Sequence, residues 1–205
     1  MKQVNLFNLL CMFCCVACAL FFSPAADVNA QENRSSRQYI NGTVVGIGGR
    51  SAGRSRPFTL IVNGYTASNQ VRELNDALQP GGQDGQDGLL RAISKMDAGR
   101  IQIGTGVGVS ANVIIADPWG EGGTKLTVIY QRNLDVYELR YGTRSSDYRF
   151  GYAEMFLDRN GRGQGTLIPA ARIRLRGGDT WEVEDFGIFP ARLMGLRASG
   201  SVLAR

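Results

Sequence analysis

The sequence predicts an α+β fold: a large antiparallel β-meander or partly closed barrel with a two-helix insert after the second strand. Three observations predict it. From Arg100 to Arg197, short runs of alternating apolar residues are separated by glycine-rich turns. That spacing joins neighbouring strands by hairpins, not by the helical crossovers of a parallel sheet. Ser68–Met96 is the only stretch with the helical period of apolar residues. Two strand patterns, Ile40–Ile47 and Pro57–Val62, precede it.

The elements follow in order. Residues 31–39 are polar and charged and read as a disordered N-terminal segment, leaving 40–205 as a single α+β domain. The first strand is β-branched, and in the second Phe58, Leu60 and Val62 share a face. Between them Gly48–Arg56 is a Gly/Ser/Arg loop. Ser68 is placed to cap a helix through Gln79, with Val71, Leu74 and Leu78 on one side and Pro80-Gly81-Gly82 ending it. The tandem GQDGQDG up to Gly88 reads as a tolerant loop. Asp87 then caps a second helix to Met96, closed by Gly99. Both helices are amphipathic, which seats them on a sheet face. The remaining strands are Arg100–Ile103, Val107–Ala116, Thr124–Gln131, Val136–Tyr141, Tyr152–Leu157, Gly165–Arg176, Trp181–Phe186 and Arg192–Arg197, with Pro118–Gly123, Asn160-Gly161 and Gly177-Gly178 among the separators.

One hairpin is specified down to its register. Arginines alternate with apolar residues in Ala171–Arg176, and acids alternate in Trp181–Glu184. A three-residue loop, Gly177-Gly178-Asp179, sets Arg174 opposite Glu182, Arg172 opposite Glu184, Leu175 opposite Trp181 and Ile173 opposite Val183. A two-residue turn would mix the charged and apolar faces. Each exposed cross-strand ion pair is worth ~0.2–1 kcal/mol, enough to favour a register but not to drive folding.

Residues 1–30 have the layout of a secretory signal peptide. Lys2 precedes 14 consecutive apolar residues, Leu9–Phe22, too few for a membrane-spanning helix of about 20. Val28-Asn29-Ala30 places cleavage after Ala30, with Ala25 and Ala26 as alternatives. A lipoprotein reading at Val16-Ala17-Cys18 is weaker, because Cys15 stands where leucine is usual and the apolar run continues. The expected location is therefore the periplasm or the exterior. No other apolar segment is long enough to cross a bilayer as a helix, and the low aromatic content and helical insert argue against an outer-membrane barrel.

Composition then narrows the chemistry. The chain has no histidine, which excludes Ser-His-Asp and Cys-His catalysis and histidine-ligated metals. All four cysteines (Cys11, Cys14, Cys15, Cys18) fall within the leader. No metal and no cofactor is expected. The net charge of +5 is carried almost entirely by arginine and is spread along the chain, which is no footprint for nucleic acid.

Several constellations have simpler structural readings. Gly104-Thr105-Gly106-Val107-Gly108 resembles a phosphate loop but is followed by a strand, so it reads as a turn. Asp158–Gly163 starts like a calcium loop, but Arg162 stands at its fifth position, so Asn160-Gly161 reads as a hairpin turn. Glu138 and Glu154 lie in mostly apolar strands. Buried, they would make a general acid and its partner; on a polar sheet face they would pair with arginines. The segment Tyr141–Phe150 is the densest in polar and aromatic residues. Exposed on a loop, Arg144 and Asp147 would supply polar contacts and Tyr148 a stacking surface; alternatively Tyr148 and Phe150 anchor the segment to the core.

Arg144-Ser-Ser-Asp147-Tyr148, Asp158-x-Asn160-Gly161-x-Gly163 and Gly165-Thr-Leu-Ile-Pro169-Ala-Ala171, with Gly81-Gly82-Gln83-Asp84 before Leu89-Leu90, resemble a group of exported bacterial proteins of unassigned activity. The resemblance implies bacterial export and supplies no site. The expected function is an exported, non-catalytic protein that binds an envelope or extracellular partner or ligand. The alternative is a carboxylate-based hydrolase acting on cell-wall or other glycans through Glu138 and Glu154.

Export should remove every cysteine. Intact-mass analysis of the exported protein is expected to give a chain starting near Gln31 with no thiol; a lipidated N-terminal cysteine would contradict this.

Overall fold

Period-two alternation of apolar side chains builds most of this chain into one curled sheet. The computed structural model describes residues 37–47, 52–133, 144–187 and 190–199. The strands are β1 (Gln38–Val45), β2 (Ser55–Val62), β3 (Gly99–Ile103), β4 (Val109–Ala111), β5 (Val113–Trp119), β6 (Gly123–Gln131), β7 (Phe150–Leu157), β8 (Arg162–Arg176), β9 (Thr180–Asp185) and β10 (Ala191–Ser199). Helices α1 (Ser68–Leu78) and α2 (Gly82–Ile93) follow β2.

All pairings are antiparallel, in the order β4-β3-β2-β1-β10-β8-β7-β6-β5, with β9 also on β8. The two ends of that order, β4 and β5, are separated in the chain by Asn112 alone. The sheet therefore curls back on itself into a nearly closed barrel. Its interior is filled from opposite walls by residues such as Ile40, Phe58, Leu60, Leu126, Val128, Met155, Leu157 and Leu193, all buried. Each such side chain contributes about 1.5–3 kcal/mol through removal from water.

The helix pair covers part of the outer wall. Leu74 and Leu78 of α1 and Leu89 and Ile93 of α2 pack on the outward side chains Val113, Ile129, Phe150 and Ile173. The indole N–H of Trp181 donates to Asn75 Oδ1 at 2.6 Å, so the β8–β9 hairpin is bound to α1 as well.

Two buried side-chain amides stand in for missing backbone pairing. The β7–β8 ladder ends at Phe150–Ala171, and the next free rung is at Ile173. There the Gln86 amide donates to the Ile173 carbonyl and accepts its N–H at 3.3 Å. The β5–β6 ladder ends at Val113–Ile129, and the next free N–H belongs to Gln131. Asn112 Oδ1 accepts it at 2.9 Å, while Asn112 Nδ2 donates to the Ile93 and Met96 carbonyls, both at 3.0 Å, at the end of α2.

The β8–β9 register is the one expected, from Arg176–Thr180 through Arg172–Glu184, closed by the three-residue loop Gly177–Asp179. The ion pair is diagonal: Arg174 reaches Glu184 at 2.7 Å. Other expectations need correction. GQDGQDG is not a loop but the first turns of α2, which starts at Gly82 and not at Asp87. Gly85 and Gly88 face α1, where a Cβ at Gly88 would come within 2.5 Å of the Ala77 carbonyl oxygen. Only glycine allows that approach, and the tertiary contact outweighs its roughly 1 kcal/mol helix penalty. The cap of α1 falls on Ala67, whose N–H donates to the Gln70 side chain, and Ser68 is the first helical residue. The strand expected over Val107–Ala116 is broken in two at Asn112. β1 begins at Gln38, inside the segment expected to be disordered. The strand expected over Val136–Tyr141 lies outside the described residues.

Replacing Gln86 by Leu keeps the approximate volume but leaves the Ile173 backbone unpaired in a buried place. Urea unfolding should show a lower midpoint at unchanged slope, corresponding to about 1–3 kcal/mol. An unchanged midpoint would show that Gln86 carries none of this pairing.

Candidate functional site

On β7 the side chains of Ala153, Met155 and Leu157 point into the barrel, and those of Tyr152, Glu154 and Phe156 point out. Their cross-strand neighbours are Ile129, Thr127 and Lys125 on β6, and Ile168, Thr166 and Gln164 on β8. The helix pair covers the Tyr152 end of this outer row. The Phe156 end is open.

Trp119, the last residue of β5, lies against Phe156 with ring centroids 5.1 Å apart and planes tilted by 54°. Its side chain is 47% exposed, an uncommon position for so large an apolar group. Lys125 bonds Glu154 at 2.6 Å, with its Nζ 5.9 Å from the Phe156 ring centre. Across β8, the β8–β10 register slips between Leu193 and Leu196. The extra residues form a bulge, in which Gly195 takes a left-handed φ of 60° and Met194 is pushed outward to 49% exposure. Between bulge and indole lies an open groove of about 650 Å³, lined by Trp119, Phe156, Gln164 and Met194, with Asp158 and Arg162 at one end. A second depression of about 360 Å³ shares Trp119 and Asp158 with the groove and is lined further by Glu121, Arg159 and Asn160.

The β7–β8 turn holds the charged end in place. Asp158 Oδ1 accepts the backbone N–H groups of Asn160 at 2.8 Å and Arg162 at 2.9 Å. The Arg162 N–H holds this carboxyl below its ordinary range, and the Asn160 N–H adds to the effect. At the covered end, burial raises the Tyr152 phenol, and the adjacent Glu154 charge, whose Oε1 accepts the phenol at 3.2 Å, raises it further.

No known family matches the chain, and no match is found among curated proteins or solved structures. The site must therefore be judged on its own chemistry.

The residues singled out from sequence are not gathered at this groove as a set. Glu154 stands on its outer row, bound to Lys125. Glu138 lies outside the described residues. Arg144 begins a short 3-10 turn, Arg144–Asp147, and its side chain lies outside the described residues. Asp147 is exposed. Tyr148 is only 5% exposed: its ring packs on Phe186 at 5.0 Å and its hydroxyl donates to Glu184 at 2.6 Å. With Phe150 fully buried beside it, Tyr148 anchors the segment and presents no open ring face for stacking. Arg149 bonds Asp87 at 2.6 Å, tying the same segment to α2. Gly104–Gly108 and Asp158–Arg162 are hairpin connections, as expected.

Trp119, Gln164 and Met194 were not legible as a site. Trp119 falls in the stretch Pro118–Gly123 expected to be a turn, of which only residues 120–122 lie between β5 and β6, and Met194 owes its exposure to a bulge. The one sequence signal was a large aromatic between proline and glycine in a polar turn, where no core is available to bury it.

Tyr148→Ala should cost about 3–5 kcal/mol, as for a core aromatic. Tyr148→Phe should cost less, in the range of about 1.5–3 kcal/mol for a bond to a charged acceptor. Thermal unfolding of the two variants measures both; a Tyr148→Ala melting temperature equal to wild type would contradict the anchoring role.

Proposed function

We propose that the chain is an exported, non-catalytic binding protein that holds a partner or ligand in the bacterial periplasm or outside the cell, and that the groove at Trp119 is its recognition surface. The observation that carries this reading is the half-exposed indole on Phe156 facing an outward-bulged methionine. Contiguous apolar surface of this kind, rimmed by polar groups, is characteristic of interaction sites. The export part of the reading rests on the layout of residues 1–30. The hydrolase alternative draws no support from the groove: Glu154 is engaged by Lys125 and Tyr152, and Glu138 lies outside the described residues.

The two tryptophans make the reading testable. Trp119 is half-exposed, whereas Trp181 is hydrogen-bonded against α1. A bound ligand should shift the emission of Trp119 and shield it from a soluble quencher. Titration with soluble fragments of envelope polymers, glycan and peptide fractions separately, should give this response in wild type. Trp119→Ala should weaken binding by about 30-fold or more, as for a central aromatic anchor. Binding that survives Trp119→Ala unchanged would overturn the assignment of the groove.

A further inference from the structure

The rim of the groove carries a charge arrangement that the fold does not explain. Arg162 on β8 and Arg197 on β10 are directly opposite each other in register, both outward and exposed. Like charges so placed repel. Among the described residues three cations are answered by acids, in Arg174–Glu184, Arg149–Asp87 and Lys125–Glu154, while others such as Arg100 and Arg176 have no ion pair. What sets Arg162 and Arg197 apart is that they face each other. Among the described residues no ion pair answers Arg162 or Arg197. Asp158, which also lines the groove, is the nearest acid in sequence, and its Oδ1 accepts from the backbone of its own turn. Its charge attracts Arg162 without forming an ion pair, so Arg162 is partly answered and Arg197 is not. Arg192 stands outward on the same strand, opposite Thr166, and adds a third cation.

Beside these cations lie a stacking platform, Trp119, and an exposed amide, Gln164. A second depression adjoins the groove at Trp119 and Asp158, so that the indole is shared by two neighbouring concavities, as suits a ligand of more than one unit. An extended peptide would lack its usual support, because the floor strands β7 and β8 are paired on both sides along the groove and offer no free backbone edge. We infer that the groove takes an acidic oligosaccharide, one sugar ring stacked on Trp119 and a carboxylate of the chain held by Arg162 and Arg197. The apolar C–H face of a pyranose matches the indole, the Gln164 amide serves hydroxyls, and the planar guanidinium fork matches a carboxylate. Bound, the carboxylate would also relieve the Arg162–Arg197 repulsion.

This inference rests on reading the groove as the binding site, and the probes separate the two. Full-length exported protein is titrated with hexagalacturonate, with its fully methyl-esterified form, and with hexaglutamate at two salt concentrations. The heat of binding is followed in every variant, Trp119→Ala included, and Trp119 emission where that residue is kept. Hexagalacturonate should bind at least about tenfold more tightly than the ester and weaken as salt rises. Arg162→Gln and Arg197→Gln should each weaken it about tenfold or more at unchanged melting temperature, since both side chains are exposed and the Arg162 N–H is retained. Ester binding as tight as the acid, still lost in Trp119→Ala, overturns the acidic ligand and leaves the groove standing. Hexaglutamate binding as tightly as hexagalacturonate reduces the site to bare charge and overturns the sugar. If neither sugar binds, the inference fails; if binding persists in Trp119→Ala, the groove reading fails with it.

Discussion

Two buried side-chain amides, Gln86 and Asn112, are the constraint on which the rest of the structure depends. Each continues a ladder one rung past the point where the neighbouring strand stops: Gln86 at Ile173 beyond β7, Asn112 at Gln131 beyond β5. A curled sheet whose strands end at different heights leaves unpaired backbone groups inside, and each costs ~1–3 kcal/mol if left so. Both amides also belong to the helix–barrel contact. Gln86 is a residue of α2, and Asn112 bonds the carbonyls that end α2. Closure of the barrel and seating of the helices are thus one event.

The placement of the groove follows. The helix pair is held against the outer wall where β5 to β8 run out, so it buries Val113, Ile129, Phe150 and Ile173 there. The same alternation that fills the barrel with Met155 and Leu157 sends Phe156 outward at the uncovered end. Trp119 and Met194 close around it from the end of β5 and from a bulge. A rigid sheet with its variable surface at strand ends and irregularities is where recognition residues tend to sit.

What could be read from the sequence depended on whether the determinant was local. The β8–β9 register was legible because arginines, acids and apolar residues alternate on both sides of a short turn, and only one pairing keeps the faces separate. The turns at Gly104–Gly108 and Asn160-Gly161 were legible for the same reason. GQDGQDG was misleading: its composition is that of a loop, and its helical state depends on α1 packing against Gly85 and Gly88 and on a backbone 87 residues away at Ile173. Tyr148 was ambiguous in the same way, since its partner Glu184 lies 36 residues on. Trp119 was hidden because exposure is decided by what does not cover a side chain.

The most direct test of the central claim is native-state hydrogen exchange at two amides, Ile173 N–H and Gln131 N–H. Neither donates in the strand ladder at these ends; both donate to a side-chain amide. If Gln86 and Asn112 weld helices and barrel into one cooperative unit, both amides should exchange only through global opening, as slowly as Val128 and Met155 in the barrel wall. Exchange at the rate of the exposed turns, with the barrel wall still protected, would show that the amides close over the strand ends without holding the fold together.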